Sequence, residues 1–264
     1  MRRDYDTMIL GCSCFGMGCA AQNPENTLIL ESGEGFGGEF VNALRACGPI
    51  EHPVGEGSAL YDELIARGIM DEASAARGEL HLPAVNVVLN RIALEKKLNI
   101  LFRTRVIAVE KTEKGALVQA VCNAKIYEFT CRRVIDTRST DFQRIRALDE
   151  DAAFGMAANL YAPALPEGDL NGMSVRRGFL PGEAYLTMSV DMPSSGDREK
   201  LLSAFANRPV EWKDCRLLQT APARPVICRP IREETETGFF IPGCGFNDPV
   251  SAWAAGLCEK EALA

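Results

Sequence analysis

The stretch Tyr5 to Ser32, YDTMILGCSCFGMGCAAQNPENTLILES, constrains the chain more than any other. Two short apolar runs, Met8-Ile9-Leu10 and Leu28-Ile29-Leu30, flank a segment of small residues, and the second run stops at an acid, Glu31. Apolar runs without alternation suit strands buried on both faces, as in parallel sheets. Parallel neighbours need a crossover, and a short helix is expected between them. Asn23-Pro24-Glu25-Asn26 must end it, because proline has no N–H to donate and disfavours helix in the residue before it. About eight residues, Phe15 to Gln22, remain, which is roughly 12 Å of helix.

The glycines at 11, 16 and 18 and the terminal acid have a chemical rationale. In a strand-turn-helix unit, glycines let the backbone approach a pyrophosphate, the helix amides face its charge, and an acid ending the next strand accepts hydrogen bonds from a ribose. The turn reads Gly11-Cys12-Ser13-Cys14-Phe15-Gly16, so Ser13 replaces the middle glycine of the G-x-G-x-x-G fingerprint. A unit whose glycines serve only close packing would explain the turn by itself. Glu31 and the second glycine-rich loop, Ser32-Gly33-Glu34-Gly35-Phe36-Gly37-Gly38-Glu39, favour a nucleotide cradle.

Composition narrows the alternatives. With 264 residues, 47% hydrophobic and 25% charged, the chain belongs to the globular class and can form one large domain or two modest ones. No apolar run approaches the roughly 20 residues of a membrane span, and the N-terminus enters the first strand without a signal-peptide pattern, so a cytoplasmic location is expected. A net charge of −7 argues against nucleic acid as a partner. Ten cysteines include the cluster Cys12, Cys14 and Cys19, but there are only two histidines, His52 and His81, and no second C-x-x-C pair. Cysteines packing as small hydrophobes, without a metal site, are the expectation.

Further along, Ser58 to Gly68 has helical spacing, and residues 82 to 99 predict a stronger amphipathic helix with Pro83 near its start. Residues 100 to 137 read as a strand, a meander turning at 111–115 and 123–125, and a buried strand Val134-Ile135-Asp136. Strands are expected at Met156–Tyr161 and Ala184–Met192, and a helix from Asp197 to Phe205 capped by Ser195 or Asp197.

This order of segments, with NILFRTRVIAVE, RRVIDT and the C-terminal TGFFIPGCGFNDPVSAWAAGLCEKEALA, resembles the FAD-dependent oxidoreductases of the glutathione-reductase-like flavoprotein superfamily. The resemblance covers somewhat over half the chain. It implies an α/β fold: a Rossmann-like FAD-binding domain built from discontinuous segments, residues 1–148 plus 235–264 with a helical insertion at 49–77. A smaller, mainly antiparallel β substrate domain would occupy 149–234.

Carried over by position, the resemblance implies that Gly11, Ser13 and Gly16 face the FAD pyrophosphate and that Glu31 binds the adenosine ribose, with Cys14 and Ser32 beside them also at the cofactor. Gly37 and Gly38 would approach the flavin side, Val106 would hold the adenine edge through its backbone, and Asp248, or Asn247 beside it, would contact the ribityl or pyrophosphate region, with Gly245 of the same turn also at the cofactor. Thr137 begins the turn after the VID strand, where the family carries Ala-Thr-Gly and this chain carries Thr137-Arg138-Ser139. Arg138 can block the adenosine end or pair with phosphate.

No catalytic residue is identified. His52 and His81 lack an acid motif nearby, and no C-x4-C redox pair follows Gly37-Gly38, which disfavours a disulfide reductase. Cys47 and Cys244 could form a thiol relay, and Arg177 and Tyr185 could touch an anionic small-molecule substrate or be ordinary surface and strand residues. Two functions stay open: an FAD-dependent oxidoreductase working by hydride transfer on a small molecule, or a noncatalytic flavoprotein-like nucleotide-binding module.

Overall fold

The computed structural model describes residues 4–165, 170 and 172–259. The chain begins with β1 (Asp4–Leu10), α1 (Cys14–Gln22) and β2 (Thr27–Leu30), with β1 and β2 parallel and in register from Thr7 opposite Thr27 to Leu10 opposite Leu30. The two apolar runs are thus adjacent strands joined by a crossover helix, as their patterning requires. After a long connection come α2 (Ala59–Ala66), α3 (Glu72–Ala75), α4 (Leu82–Glu95) and β3 (Asn99–Leu101), which adds parallel to β2. The predicted helix 82–99 stops at Glu95 because Lys97 takes a left-handed conformation (φ 54°), which frees Asn99 to start a strand.

Next, β4 (Thr104–Thr112), β5 (Gly115–Cys122) and β6 (Lys125–Asp136) form an antiparallel meander, and the end of β6 runs parallel to β1 on its other side. Then come α5 (Phe142–Leu148), β7 (Ala153–Tyr161), β8 (Ser174–Arg177), β9 (Glu183–Val190), α6 (Asp197–Ala206), β10 (Arg216–Thr220) and β11 (Val226–Ile227), whose five strands make a second, antiparallel sheet around β7. Finally β12 (Glu233–Thr235) and β13 (Gly238–Phe240) return to the first sheet, β13 lying parallel to β6, and α7 (Pro249–Leu257) follows. The helix at 197 is capped by Gly196, without a side chain. The Asp197 carboxylate instead accepts Ser194 N–H and O–H at 2.7 Å each, so neither Ser195 nor Asp197 is the cap.

Strand alternation explains how the first sheet is covered. Met8, Leu10, Leu28 and Leu30 face the meander and pack with Val118, Ala120 and Phe129, while Ile9, Ile29 and Ile135 face the helices. The helix-side core continues into the second sheet through Leu82, Met156, Leu160 and Leu186. The carboxyl ends of β1, β2, β6 and β13 therefore gather at one edge of the parallel sheet, the place where open α/β sheets bind ligands.

Helix α1 is nine residues long, with seven of them buried, so its stability comes from packing more than from propensity. It crosses α7 at a glycine pair. A Cβ on Gly18 would sit 2.3 Å from the Trp253 carbonyl oxygen, and one on Gly256 2.1 Å from the Phe15 carbonyl oxygen. Gly18 thus serves helix contact and has no role at the turn. The Gln22 amide also donates to the Gly256 carbonyl at 2.7 Å, so the C-terminal helix is locked onto the first βαβ unit.

Candidate functional site

A cleft of about 360 Å³ opens at the carboxyl ends of β1 and β2. Gly11 turns the chain out of β1 with φ +95°, a left-handed conformation that side chains rarely adopt. Ser13 caps α1, its Oγ accepting the Gly16 N–H at 3.0 Å. Thr137, at the end of β6, donates its hydroxyl to the carbonyls of Leu10 and Gly11 and so pins the turn to the neighbouring strand.

Glu31 follows β2 directly. Its Oε2 accepts the Cys12 N–H at 2.7 Å, and its Oε1 accepts the Gly33 N–H at 2.6 Å. The Ser32 hydroxyl also donates to Oε1, at 3.4 Å. A carboxylate offers about four acceptor positions, so these three bonds still leave one position on a residue that lines the cleft. Gly38 borders the same space. A Cβ there would meet only the Asn42 amide, at 3.4 Å.

Arg138 does not fill the cleft. Its guanidinium folds back onto Asp136, with Nε 2.8 Å from Oδ1 and Nη2 2.7 Å from Oδ2. Its Cγ lies 3.2 Å from where a Gly11 Cβ would be, so its stem walls one side of the turn. The side chain is 42% exposed and leaves the cleft open.

At the head of α1 the picture changes. The Cys14 N–H, first in the helix, donates to Glu39 Oε1 at 2.7 Å. Glu39 is buried, and burial pushes its carboxyl up to about 7 against the pull of the Cys14 amide and the Arg45 charge. Arg45 is buried as well. It donates to the carbonyls of Cys244 (2.7 Å) and Phe246 (2.6 Å) and lies over the Phe40 ring, tying the loop after Gly38 to the loop before α7. In the sequence Glu39 is only the end of the second glycine-rich loop, and nothing marks Arg45.

Among the residues expected at a cofactor, the cleft brings together Gly11, Ser13, Glu31, Ser32, Gly38 and Thr137, and leaves Cys14, Gly16, Gly37, Val106, Gly245, Asn247 and Asp248 outside its lining. Gly16 packs on β1, where a Cβ would lie 2.9 Å from Ile9 Cγ2. Val106 sits at an irregularity in the β4–β5 pairing, and Gly245 is pressed against Pro230. Asp248 is buried as the α7 cap, accepting the N–H groups of Val250 (2.9 Å) and Ser251 (2.8 Å), and burial raises its carboxyl.

The cysteines follow the same logic. Burial raises Cys12, Cys14, Cys19 and Cys47, which pack as small apolar groups. Cys244 pairs with Cys228, Sγ to Sγ 3.6 Å, and Cys47 instead approaches the Arg45 carbonyl, so the expected Cys47–Cys244 relay is not the arrangement present. The Ser139 hydroxyl and the Arg45 charge both pull the Cys244 thiol down. Among the described residues no three His, Cys, Asp or Glu side chains gather to hold a metal, and no helix is long and apolar enough to cross a membrane.

Both histidines find acids that proximity in sequence did not announce. His52 Nε2 is 3.0 Å from Asp62 in an exposed pair. His81 Nδ1 is 2.6 Å from Glu183 Oε1, to which the Tyr185 hydroxyl also donates at 2.5 Å, while that hydroxyl accepts the Leu82 N–H. This cluster fastens the start of α4 to β9. Tyr185 is therefore a buried tie between β9 and α4, and Arg177 an exposed strand residue.

No family model and no curated protein matches the sequence. Solved structures match the fold. Glycine oxidase from Geobacillus kaustophilus superposes with a TM-score of 0.63 at 14% identity, over 97% of this chain and 93% of that one. A flavoprotein/dehydrogenase from Cytophaga hutchinsonii gives 0.57 at 11%, over 98% and 76%. BexE, which takes part in oxidation during BE-7585A biosynthesis, gives 0.62 at 15% over 96% of this chain, which spans only 60% of that protein. The chain thus has an α/β, Rossmann-like fold shared with oxidoreductases.

Proposed function

We propose that this chain is an FAD-dependent oxidoreductase of the glutathione-reductase-like superfamily that acts on a small organic molecule. Residues 1–148 and 235–264, with the helical insertion 49–77, form its FAD-binding domain, and 149–234 its substrate domain. The observation that carries this reading is Glu31: a carboxylate at the carboxyl end of a parallel strand, beside the Gly11 turn, with acceptor capacity directed at an open cleft. Paired ribose hydroxyls are its natural complement.

These residues fit the adenosine end of FAD. Glu31 and Ser32 offer polar groups to the ribose, the Gly11 turn and Arg138 form the adjoining wall, and Gly38 leaves room. They do not fit a diphosphate at the head of α1 as it stands, because the Glu39 carboxylate takes the Cys14 amide. Flavin, when bound, supplies hydride acceptance or donation; the protein supplies binding, orientation and exclusion of water.

Glu39 favours a second reading, a noncatalytic module that keeps the fold and binds only the adenosine part of a nucleotide. Purified protein carrying visible flavin absorbance, released as FAD on denaturation and bleached by an organic reductant, supports the oxidoreductase. Colourless protein that binds ADP or adenosine but not FAD replaces it with the module.

A further inference from the structure

The head of α1 combines a cleft, a turn with backbone amides and an acid that belongs to neither strand. Glu39 lies 25 residues after Cys14, on the loop that follows Gly37-Gly38, and returns to place Oε1 2.7 Å from the first helical amide. A helix N-terminus favours an anion, and here the chain supplies that anion itself. Burying a carboxylate is costly, and Ser13 already caps the helix at Gly16, so α1 does not require Glu39 as its N-cap.

We propose that Glu39 is an internal stand-in for a phosphate, holding the head of α1 in the ligand-free protein and leaving or losing its charge before a diphosphate enters. The inference rests on the proposed nucleotide function and specifies how that site is controlled. Two anions cannot share one amide in a buried position without strong repulsion, so the carboxylate and the diphosphate exclude one another. Gly38, directly before Glu39, would bring a Cβ against only the Asn42 amide, at 3.4 Å, so no tight contact lies at this point of the loop that carries the carboxylate. Arg45 is the cation whose charge acts on Glu39, and it stays fixed by the Cys244 and Phe246 carbonyls. The other titratable groups that act on or are acted on by Glu39 are the thiols of Cys12, Cys14 and Cys244, the first two of which burial keeps protonated.

The test is calorimetric titration of the wild type and Glu39→Gln with FAD, ADP and adenosine at pH 8. Glutamine keeps an oxygen for the Cys14 amide and removes the charge. The expected result is at least tenfold tighter binding of FAD and ADP by the variant, with adenosine affinity changed less than twofold. Equal FAD and ADP affinities in the two proteins overturn the inference while leaving the nucleotide reading in place. Equal tightening of all three ligands also overturns it, since that would mean a general opening of the cleft. If neither protein binds any of the three, the nucleotide reading fails and the inference with it. An independent readout needs no ligand: the Cys14 amide proton resonance should move with pH in the wild type and stay still in Glu39→Gln. A resonance that fails to titrate in the wild type contradicts the contact on which the inference stands.

Discussion

The two ends of the cleft differ in how the same backbone frame is finished. At the β2 end, the Glu31 carboxylate braces the Cys12 and Gly33 amides and still faces open space. At the α1 end, the Glu39 carboxylate is buried against the Cys14 amide and fills the position that an outside anion would take. The glycine turn sets only where amides point. Which ligand they receive depends on side chains that arrive from elsewhere in the chain.

The frame shared by both ends is the easiest part to break. Gly18→Ala places a methyl group against the Trp253 carbonyl, where a Cβ would be at 2.3 Å, and neither backbone can yield without separating α1 from α7. Urea unfolding should show a loss of about 3 kcal/mol or more. Gly38→Ala, with only the Asn42 amide at 3.4 Å, should change stability by no more than about 0.5 kcal/mol. Equal costs at the two glycines would mean that the helix crossing does not hold the head of α1 in place.

The next effect separates the two carboxylates by pH. The Glu39 carboxyl rises from 4.5 to about 7 on folding. Because a raised acid pKa means that the folded state holds the proton more tightly, this group costs stability as pH climbs from 4.5 to 7, and the cost is constant above that. Glu39→Gln should therefore be more stable than the wild type by roughly 2 to 3 kcal/mol at pH 8, with the advantage vanishing near pH 4.5. Thermal melts of both proteins across that range give the difference directly, and an advantage independent of pH would show that the Glu39 carboxyl is exposed, with the same pKa folded and unfolded.

Features legible in the sequence are those whose contacts are short in reach. The βαβ unit was legible because the two apolar runs, the proline stop and the glycine turn act over 30 residues, and the meander because its turns are local. The α1–α7 crossing was not, since Gly18 and Gly256 are simply small residues until the fold places them together. Glu31 stood out as an acid ending an apolar run. Glu39 sits in a polar, glycine-rich loop, where an acid is unremarkable, and its partner is a backbone amide that leaves no sequence trace. The His81–Glu183 contact joins residues 102 positions apart. Asp248 looked like a ligand because a glycine-acid turn before a helix reads alike whether the acid meets a cofactor or caps the helix.

That last ambiguity gives a smaller prediction. Asp248→Ala should cost about 1 kcal/mol of stability through the lost cap, with FAD affinity changed less than twofold. A large loss of affinity with unchanged stability would return Asp248 to the cofactor. The smallest effect is expected at Arg138, which is held by Asp136 at the side of the turn. Arg138→Gly should leave FAD affinity within about threefold or lower it slightly, and tenfold tighter binding, about 1.4 kcal/mol, would mean that the arginine obstructs the cleft.

The contrast between an open and a filled end is tested most directly at the open one. Fluorescence titration of FAD into the wild type and Glu31→Gln, with melting curves to verify that both are folded, measures what the β2 carboxylate does for a nucleotide. The expected result is binding by the wild type and a loss of tenfold or more in the variant, since the glutamine exchanges a charged acceptor for a partly donating amide. Equal affinities in the two proteins, or a folded wild type that binds neither FAD nor adenosine, would contradict the assignment of the cleft.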